Sequence, residues 1–437
     1  MNSVPSGSVA GNGSLVSLVS LALMASAALA AGSASAATVR VMNCNDSGPG
    51  SLRSAVASAR SGDTIDLTRL SCRKIVLTSG RIDVAQDDLS LIGPGRSGLV
   101  LDGNNASPVL WHDTATPGTL VVKSMTLAHG NGRCVASAWN IDLIGADVHH
   151  CVGGGVSAGE HLRLIDSRLY SNHATDANGG GALAKSIRAV NSHVWNNSAV
   201  EGGGLWALFD VSIAYSSVSQ NRSIGSGGGI FVFQFGNLLV NKSTVSNNQT
   251  SNTGGGAWGG FVYIYDSTFS GNVAASASAV FVRGKVQIAN STIVFNRERL
   301  TDPTSGGAVF VYSLSGEPSP PPVPVGDRGP YTINSSIIAR NEANGMPGND
   351  LGPYYWAAGA NNLIERAIIS VPADTISANP LLEPLADNGG PTRTHALRSG
   401  SPAIDRGNNR RNRQFDQRGP GFVRVRGRAA DIGAVER

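Results

Sequence analysis

Asp166-Ser-Arg-Leu-Tyr-Ser-Asn172, Asn191-Ser-His-Val-Trp-Asn-Asn197, Tyr215-Ser-Ser-Val-Ser-Gln-Asn221 and Lys242-Ser-Thr-Val-Ser-Asn-Asn248 are four copies of one phrase. It returns as Asp266-Ser-Thr-Phe-Ser-Gly-Asn272 and Asn290-Ser-Thr-Ile-Val-Phe-Asn296, with a looser copy from Asn334. The serines at 167, 192, 216, 243, 267 and 291 lie 24 to 27 residues apart. Between the copies runs a second phrase, Gly179–Gly181, Gly202–Gly204, Gly227–Gly229, Gly254–Gly256 and Gly306-Gly307. A fixed period of this length marks a solenoid, in which each unit buries its apolar face against the next.

Within a unit no stretch keeps the 3.6-residue period of a helix. Short alternating runs such as Ile230–Val232, Leu238–Val240 and Thr244–Ser246 are separated by Gly, Asn or Ser, the pattern of strands and tight turns. Three strands per turn, each pairing with its equivalent one coil on, predict an all-β parallel β-helix. Alternation places Leu169, Val194, Val218, Val245, Phe269 and Ile293 inward, with Ala182, Leu205, Ile230, Ala257 and Val280 inward after the glycines. The aligned asparagines 172, 197, 221, 248, 272 and 296 fall where strand becomes turn and read as structural. Leu52, Ala55, Val56 and Ala59 keep helical spacing before Gly62, so a short capping helix should close the first coil.

The ends differ from the middle. Leu15 to Ala31 is an apolar run followed by Ala34-Ser35-Ala36, which reads as a signal peptide over residues 1–36, although no Lys or Arg precedes the run. A membrane anchor is the alternative. Residues 37–102 should hold the cap and first coils, 103–361 the repeats with a proline-rich loop at 313–330, and 362–437 a different C-terminal segment. Cys44, Cys72, Cys134 and Cys151 form an even set that suits an oxidising compartment. Of three connectivities, Cys44–Cys72 and Cys134–Cys151 would each join neighbouring coils. Net charge is +4, with ten arginines between Arg393 and Arg428 against Asp405 and Asp416. That block reads as solvated charge on a terminal cap or as a contact for anionic glycans or a membrane surface.

Two stretches resemble known families. Asn43-Cys-Asn-Asp-Ser-Gly-Pro-Gly-Ser-Leu-Arg53 with Ser61–Ile65 resembles the entry segment of bacterial secreted right-handed parallel β-helix proteins. Asn379–Leu382, Leu385–Pro391, Gly400–Asp405, Asp416–Gly419 and Asp431–Glu436 are similar, in order, to the choice-of-anchor Q domain. The repeats more loosely resemble polymorphic outer-membrane proteins. The resemblance implies export, either secreted or to the bacterial cell surface, and a pectate-lyase-like β-helix. It supplies no catalytic residues.

Stacked coils turn equivalent positions into columns about 4.8 Å apart. After the glycines, Leu183, Trp206, Phe231, Trp258 and Phe281 share an outward position that could stack on sugars, or on itself as a ladder. On the Ser-Thr-Val strand, Asp147, Arg168 and His193 form one outward column and His149, Tyr170 and Trp195 its neighbour. Later coils place Ser217, Thr244, Thr268 and Thr292, then Ser219, Ser246, Ser270 and Val294, at those positions. The first column could bind an acidic sugar through Arg168 and exchange protons through His193, or be a plain Asp147–Arg168 ion pair. Asp147, Arg168 and His193 are therefore the catalytic candidates, and Tyr170, Trp195, Trp206, Phe231, Trp258 and Phe281 the ligand-binding ones. No pair of carboxyls suited to glycoside hydrolysis, and no phosphate loop, GxSxG or HExxH, occurs. No metal, cofactor or nucleic-acid partner is expected; a polysaccharide or cell-surface glycan is. The readings are thus an exported non-catalytic glycan binder, a polysaccharide lyase or hydrolase, and a structural stalk.

Overall fold

The computed structural model describes residues 36–233, 235–299, 306–312 and 330–437. Apart from Ala36 and Pro330, the expected signal peptide and proline-rich loop lie outside them. Ala36 to Arg437 form one compact unit. It is a parallel β-helix whose strands fall into sheets of 21, 12 and 7 strands. In the 12-stranded sheet each strand pairs in parallel with the next coil's copy, as Arg168–Tyr170 with His193–Trp195, then Ser217–Ser219 and Thr244–Ser246. The 21-stranded sheet forms two adjoining faces, bridged where Ala182–Val190 and Leu205–Ala214 run through both.

The inward columns are fully buried: Leu169, Val194, Val218, Val245, Phe269 and Ile293 are at most 2% exposed. So are Ala182, Leu205, Ile230, Ala257 and Val280. The triple glycines have a steric cause. A Cβ on Gly203 would lie 2.4 Å from the Arg222 carbonyl oxygen and 2.5 Å from that of Gly228. Gly202 has φ of 58°, a backbone that L side chains rarely adopt.

The asparagines form a buried hydrogen-bond ladder. Asn221 Nδ2 donates to the Val194 carbonyl and to Asn248 Oδ1, both at 3.0 Å. Its own Oδ1 accepts from the backbone N and the Nδ2 of Asn197, also at 3.0 Å. The column runs from Asn172 to Asn341, where Asp350 Oδ1 accepts from Asn341 Nδ2 at 2.7 Å. Burial pushes the Asp350 carboxyl up to about 8. Each serine of the phrase likewise accepts from the previous coil's backbone, as Ser216 Oγ does from Ser192 N.

The cap helix spans Leu52–Ser58, with Ser51 Oγ accepting from Ser54 N and Leu52, Ala55 and Val56 buried. Gly62 is not its stop. The helix ends into an extended Ala59, whose N–H bonds the Val56 carbonyl, and Gln86 Nε2 from a neighbouring coil donates to the Val56 and Ala59 carbonyls. The disulfides are Cys44–Cys72 and Cys134–Cys151, with Cα separations of 6.4 and 5.6 Å.

The C-terminal segment folds back along the 12-stranded sheet. Thr244 Oγ1 donates to the Arg393 carbonyl, Thr268 Oγ1 to Gln417 Oε1, and Thr292 Oγ1 accepts from Ala434 N. From Thr244 and Ser246 onward the Ser and Thr columns therefore face away from the core yet are buried beneath this cover, with Thr244, Thr268 and Thr292 at most 2% exposed. The arginine block is correspondingly no uniform solvated patch. Arg424 is fully buried near Glu436, Arg413 pairs with Asp266 at 2.9 Å, Arg418 with Asp416 at 2.6 Å, and Arg411 lies 3.7 Å over the Tyr265 ring. No helix among the described residues is long and apolar enough to cross a membrane.

Asn221→Ala leaves the Asn197 backbone N–H and one Asn197 amide proton buried without partners and removes the side-chain donor to the Val194 carbonyl. It should cost about 2–4 kcal/mol in chemical denaturation, against roughly 0.5 kcal/mol or less for exposed Lys285→Ala. A second expectation concerns His395, which clips the cover to the sheet. Its Nδ1 donates to the Glu383 carbonyl at 2.7 Å and its Nε2 accepts from Ser270 Oγ at 2.9 Å. Burial holds this imidazole below its ordinary range. The unfolded chain therefore takes up the proton first. The stability His395 contributes is complete above about pH 6.5 and is lost as pH falls through the lower folded value. Denaturation midpoints between about pH 7.5 and 5 should fall less steeply in His395→Gln than in the parent.

Candidate functional site

The outward columns of the 12-stranded sheet carry the chemistry, and the parallel register sets their order. Thr126, Asp147, Arg168, His193, Ser217 and Thr244 follow one another coil by coil. Beside them run Ala128, His149, Tyr170, Trp195, Ser219 and Ser246. Where the C-terminal cover begins, over Thr244 and Ser246, sheet and cover leave a groove of about 540 Å³. Arg168, His193, Trp195, Ser217 and Gln220 line it from the sheet, and Asp387, Thr392 and Arg393 from the cover. Gly390 turns that wall at φ of 80°, where a Cβ would lie 2.4 Å from the Arg418 carbonyl oxygen.

Each candidate has a definite surrounding. Arg168 holds Asp147 in a two-point pair, Nε to Oδ1 and Nη2 to Oδ2, both 2.8 Å. The Asp147 side chain is 7% exposed, and Arg96 Nε lies 3.8 Å from its Oδ1. The carboxylate raises the Arg168 guanidinium above its ordinary value. Two of Arg168's five N–H donors are thus committed to its neighbour. Arg393, by contrast, is exposed and makes no ion pair among the described residues, so its whole fork is available. His193 Nδ1 lies 2.7 Å from Ser217 Oγ. Burial and then the nearby Arg168 and Arg96 lower its affinity for a proton, so it is neutral near pH 7.

Tyr170 and Trp195 stack face to face, with ring centroids 4.4 Å apart and planes 10° off parallel. Tyr170 covers one face of Trp195. The next coil offers only Ser219, which leaves the other face turned to the groove. On its far side Tyr170 stacks on His149 at 4.7 Å. His149 meets His150 and His129, and one nitrogen from each of the three lies within 4.8 Å of the others.

The second aromatic column is a continuous stack. Trp206, Phe231, Trp258 and Phe281 have successive centroid distances of 6.3, 4.6 and 5.6 Å, and Phe310 extends the stack at 5.7 Å. Their faces cover one another, and Phe231 is 4% exposed, so a ligand could meet mainly ring edges. Exposed Phe233 and Tyr312 flank the stack, packed on Trp206 and Phe281.

Of the cover residues that line the groove, Asp387 stands in the Leu385–Pro391 motif, Arg393 opens the arginine block, and Thr392 carries no sequence signal; only the fold-back brings them to Trp195. His129 was passed over because its coil precedes the regular repeats. Counting 21 residues from His150, the coil length that separates Asp147 from Arg168, would have placed it.

No family model matches the chain, and no curated protein matches it. Among solved structures it is similar to the crystal structure of pectate lyase Pel9A, at 15% identity and a TM-score of 0.48, covering 92% of this chain and 98% of that one.

The two groove arginines should separate cleanly on substitution. Arg168→Met strands the largely buried Asp147 and should cost about 1.5–3 kcal/mol of stability. Arg393→Met should stay within about 0.5 kcal/mol of the parent, both read by urea denaturation.

Proposed function

We propose that this protein binds an acidic glycan chain in the groove between the 12-stranded sheet and the C-terminal cover, without cleaving it. The observation that carries the reading is the composition of the lining. One open indole face, a row of hydroxyls and amides, and the unpaired Arg393 guanidinium converge on about 540 Å³. Indole faces take the apolar face of a sugar ring, hydroxyls and amides take its hydroxyls, and a guanidinium fork takes a carboxylate. Asp387 is the one carboxylate among the residues lining the groove, whereas glycoside hydrolysis needs a facing pair. The two disulfides support an exported protein that meets such glycans outside the cell.

A second reading rests on His193. A neutral imidazole beside guanidinium groups is the arrangement a polysaccharide lyase would use, the base removing the proton next to a uronate carboxylate while Arg neutralises the charge. Titration calorimetry with oligogalacturonate, oligoalginate and a neutral glucan tests both. Uronate oligomers should bind in preference to the glucan, and Trp195→Ala or Arg393→Met should weaken binding about tenfold or more. Equal binding of the neutral chain, or none at all, would sink the proposal. Unsaturated products that vanish in His193→Ala would establish the lyase reading instead.

A further inference from the structure

His129 and His150 occupy the same corner of two successive coils, with φ of 54° and 55°. That corner is left-handed in other coils too, where Ser171, Asn196, Gln220 and Asn247 hold it. Imidazoles stand there only in these two consecutive coils. His149 reaches the same point from the outward face of strand Asp147–His149. The three rings close a triangle, with centroids 5.8, 5.7 and 4.9 Å apart.

Three further observations concern what this triangle is built to hold. His149 Nδ1 and His150 Nδ1 face each other at 2.7 Å, so at least one must carry a proton or both must share a cation. His129 Nδ1 is taken by Asp102 Oδ2 at 3.0 Å, which fixes the tautomer and leaves Nε2 as the ligand atom. Asp102 is itself buried and paired with Lys74, so the carboxylate is held in place.

The scaffold beneath is rigid. The Cys134–Cys151 disulfide joins the residue after His150 to a point five residues beyond His129. A Cβ on Gly130 would lie 2.9 Å from Cys134 Sγ, so the glycine after His129 is required for that close approach. Tyr170 packs on the His149 ring from the other side. His150 is exposed, which leaves the triangle open to solvent.

We propose that His129, His149 and His150 form a binding site for one first-row transition-metal dication of the zinc type, with Asp102 as the carboxylate that orients His129. Three imidazoles and an open side suit zinc, copper or nickel and do not suit calcium, which takes oxygen ligands. The site is separate from the groove and connects to it through the Tyr170–Trp195 stack, so it stands whether or not a glycan binds there.

The test uses the protein with its disulfides intact and no polyhistidine tag, dialysed against chelator and titrated with zinc chloride alone. One equivalent should bind. Replacing zinc with cobalt(II) should give the visible absorption of a nitrogen-ligated ion, and calcium should not compete. His149→Ala and His150→Gln should each abolish the one-equivalent site, with unchanged circular dichroism. Asp102→Asn should weaken zinc about 10- to 100-fold while leaving the stoichiometry at one. His150→Gln lies on an exposed corner, so it keeps the test decisive if His149→Ala fails to fold. Zinc uptake that is absent, or equal in the parent and His150→Gln, overturns the proposal.

Discussion

A buried side-chain amide must satisfy two donors and an acceptor, and this requirement sets the geometry of the solenoid. In the column from Asn172 to Asn296 each amide meets it by bonding to the next coil's amide and to a backbone carbonyl, and Asn341 ends the column on Asp350. A slip of one residue between coils would turn inward side chains outward and break two amide bonds at once. The apolar columns alone would permit some sliding, since Val218 over Val245 is not very different from Val218 over another apolar residue. The amides do not permit it. Register fixed in this way is what allows Asp147 to meet Arg168, and Tyr170 to meet Trp195, with regular spacing.

The coiling was legible because the repeat is chemical as well as periodic. Ser, inward apolar and Asn return together, and each has a distinct role in the coil. The inward faces and the outward neighbours of Arg168 and Trp195 follow from that alignment, whereas the disulfides follow from an even cysteine count in which each pair joins neighbouring coils. The cover was not legible. Its contacts join residues such as Ser335 with the Asn408 carbonyl, Thr268 with Gln417 and Lys242 with the Phe415 carbonyl, 73 to 173 positions apart, and no periodicity predicts them. As a result the Thr column read as exposed, Arg393 was counted with a solvated block, and the groove had only one wall. The His129 corner was missed for a different reason. The early coils are shorter and lack the Ser-Thr-Val phrase, so an alignment anchored on the phrase does not reach them.

Charge is distributed accordingly. The N-terminal part of the 12-stranded sheet carries Asp102, Asp147, Arg168 and the imidazoles, each tied to a neighbour in an adjacent coil. The C-terminal part carries short hydroxyls, because only small side chains with a donor and an acceptor fit under the cover and bond to its backbone. The change from bulky and charged to small and hydroxylic therefore records where the cover starts. The groove lies at that boundary, where the last large ring, Trp195, stands next to the first uncrowded serine, Ser219.

The cover also limits how such a chain can grow. A solenoid whose coils touch only their neighbours can gain or lose one in the middle at the expense of a single junction. Here the returning segment is matched rung by rung, Arg393 and Gln417 against Thr244 and Thr268, Ala434 against Thr292, and Asn408 against Ser335. Duplicating or deleting any unit between Thr244 and Ser335 would put every later partner out of step. The number of turns in that stretch is thus pinned by a strand of chain that belongs to none of them, and length variation should be confined to the coils before it.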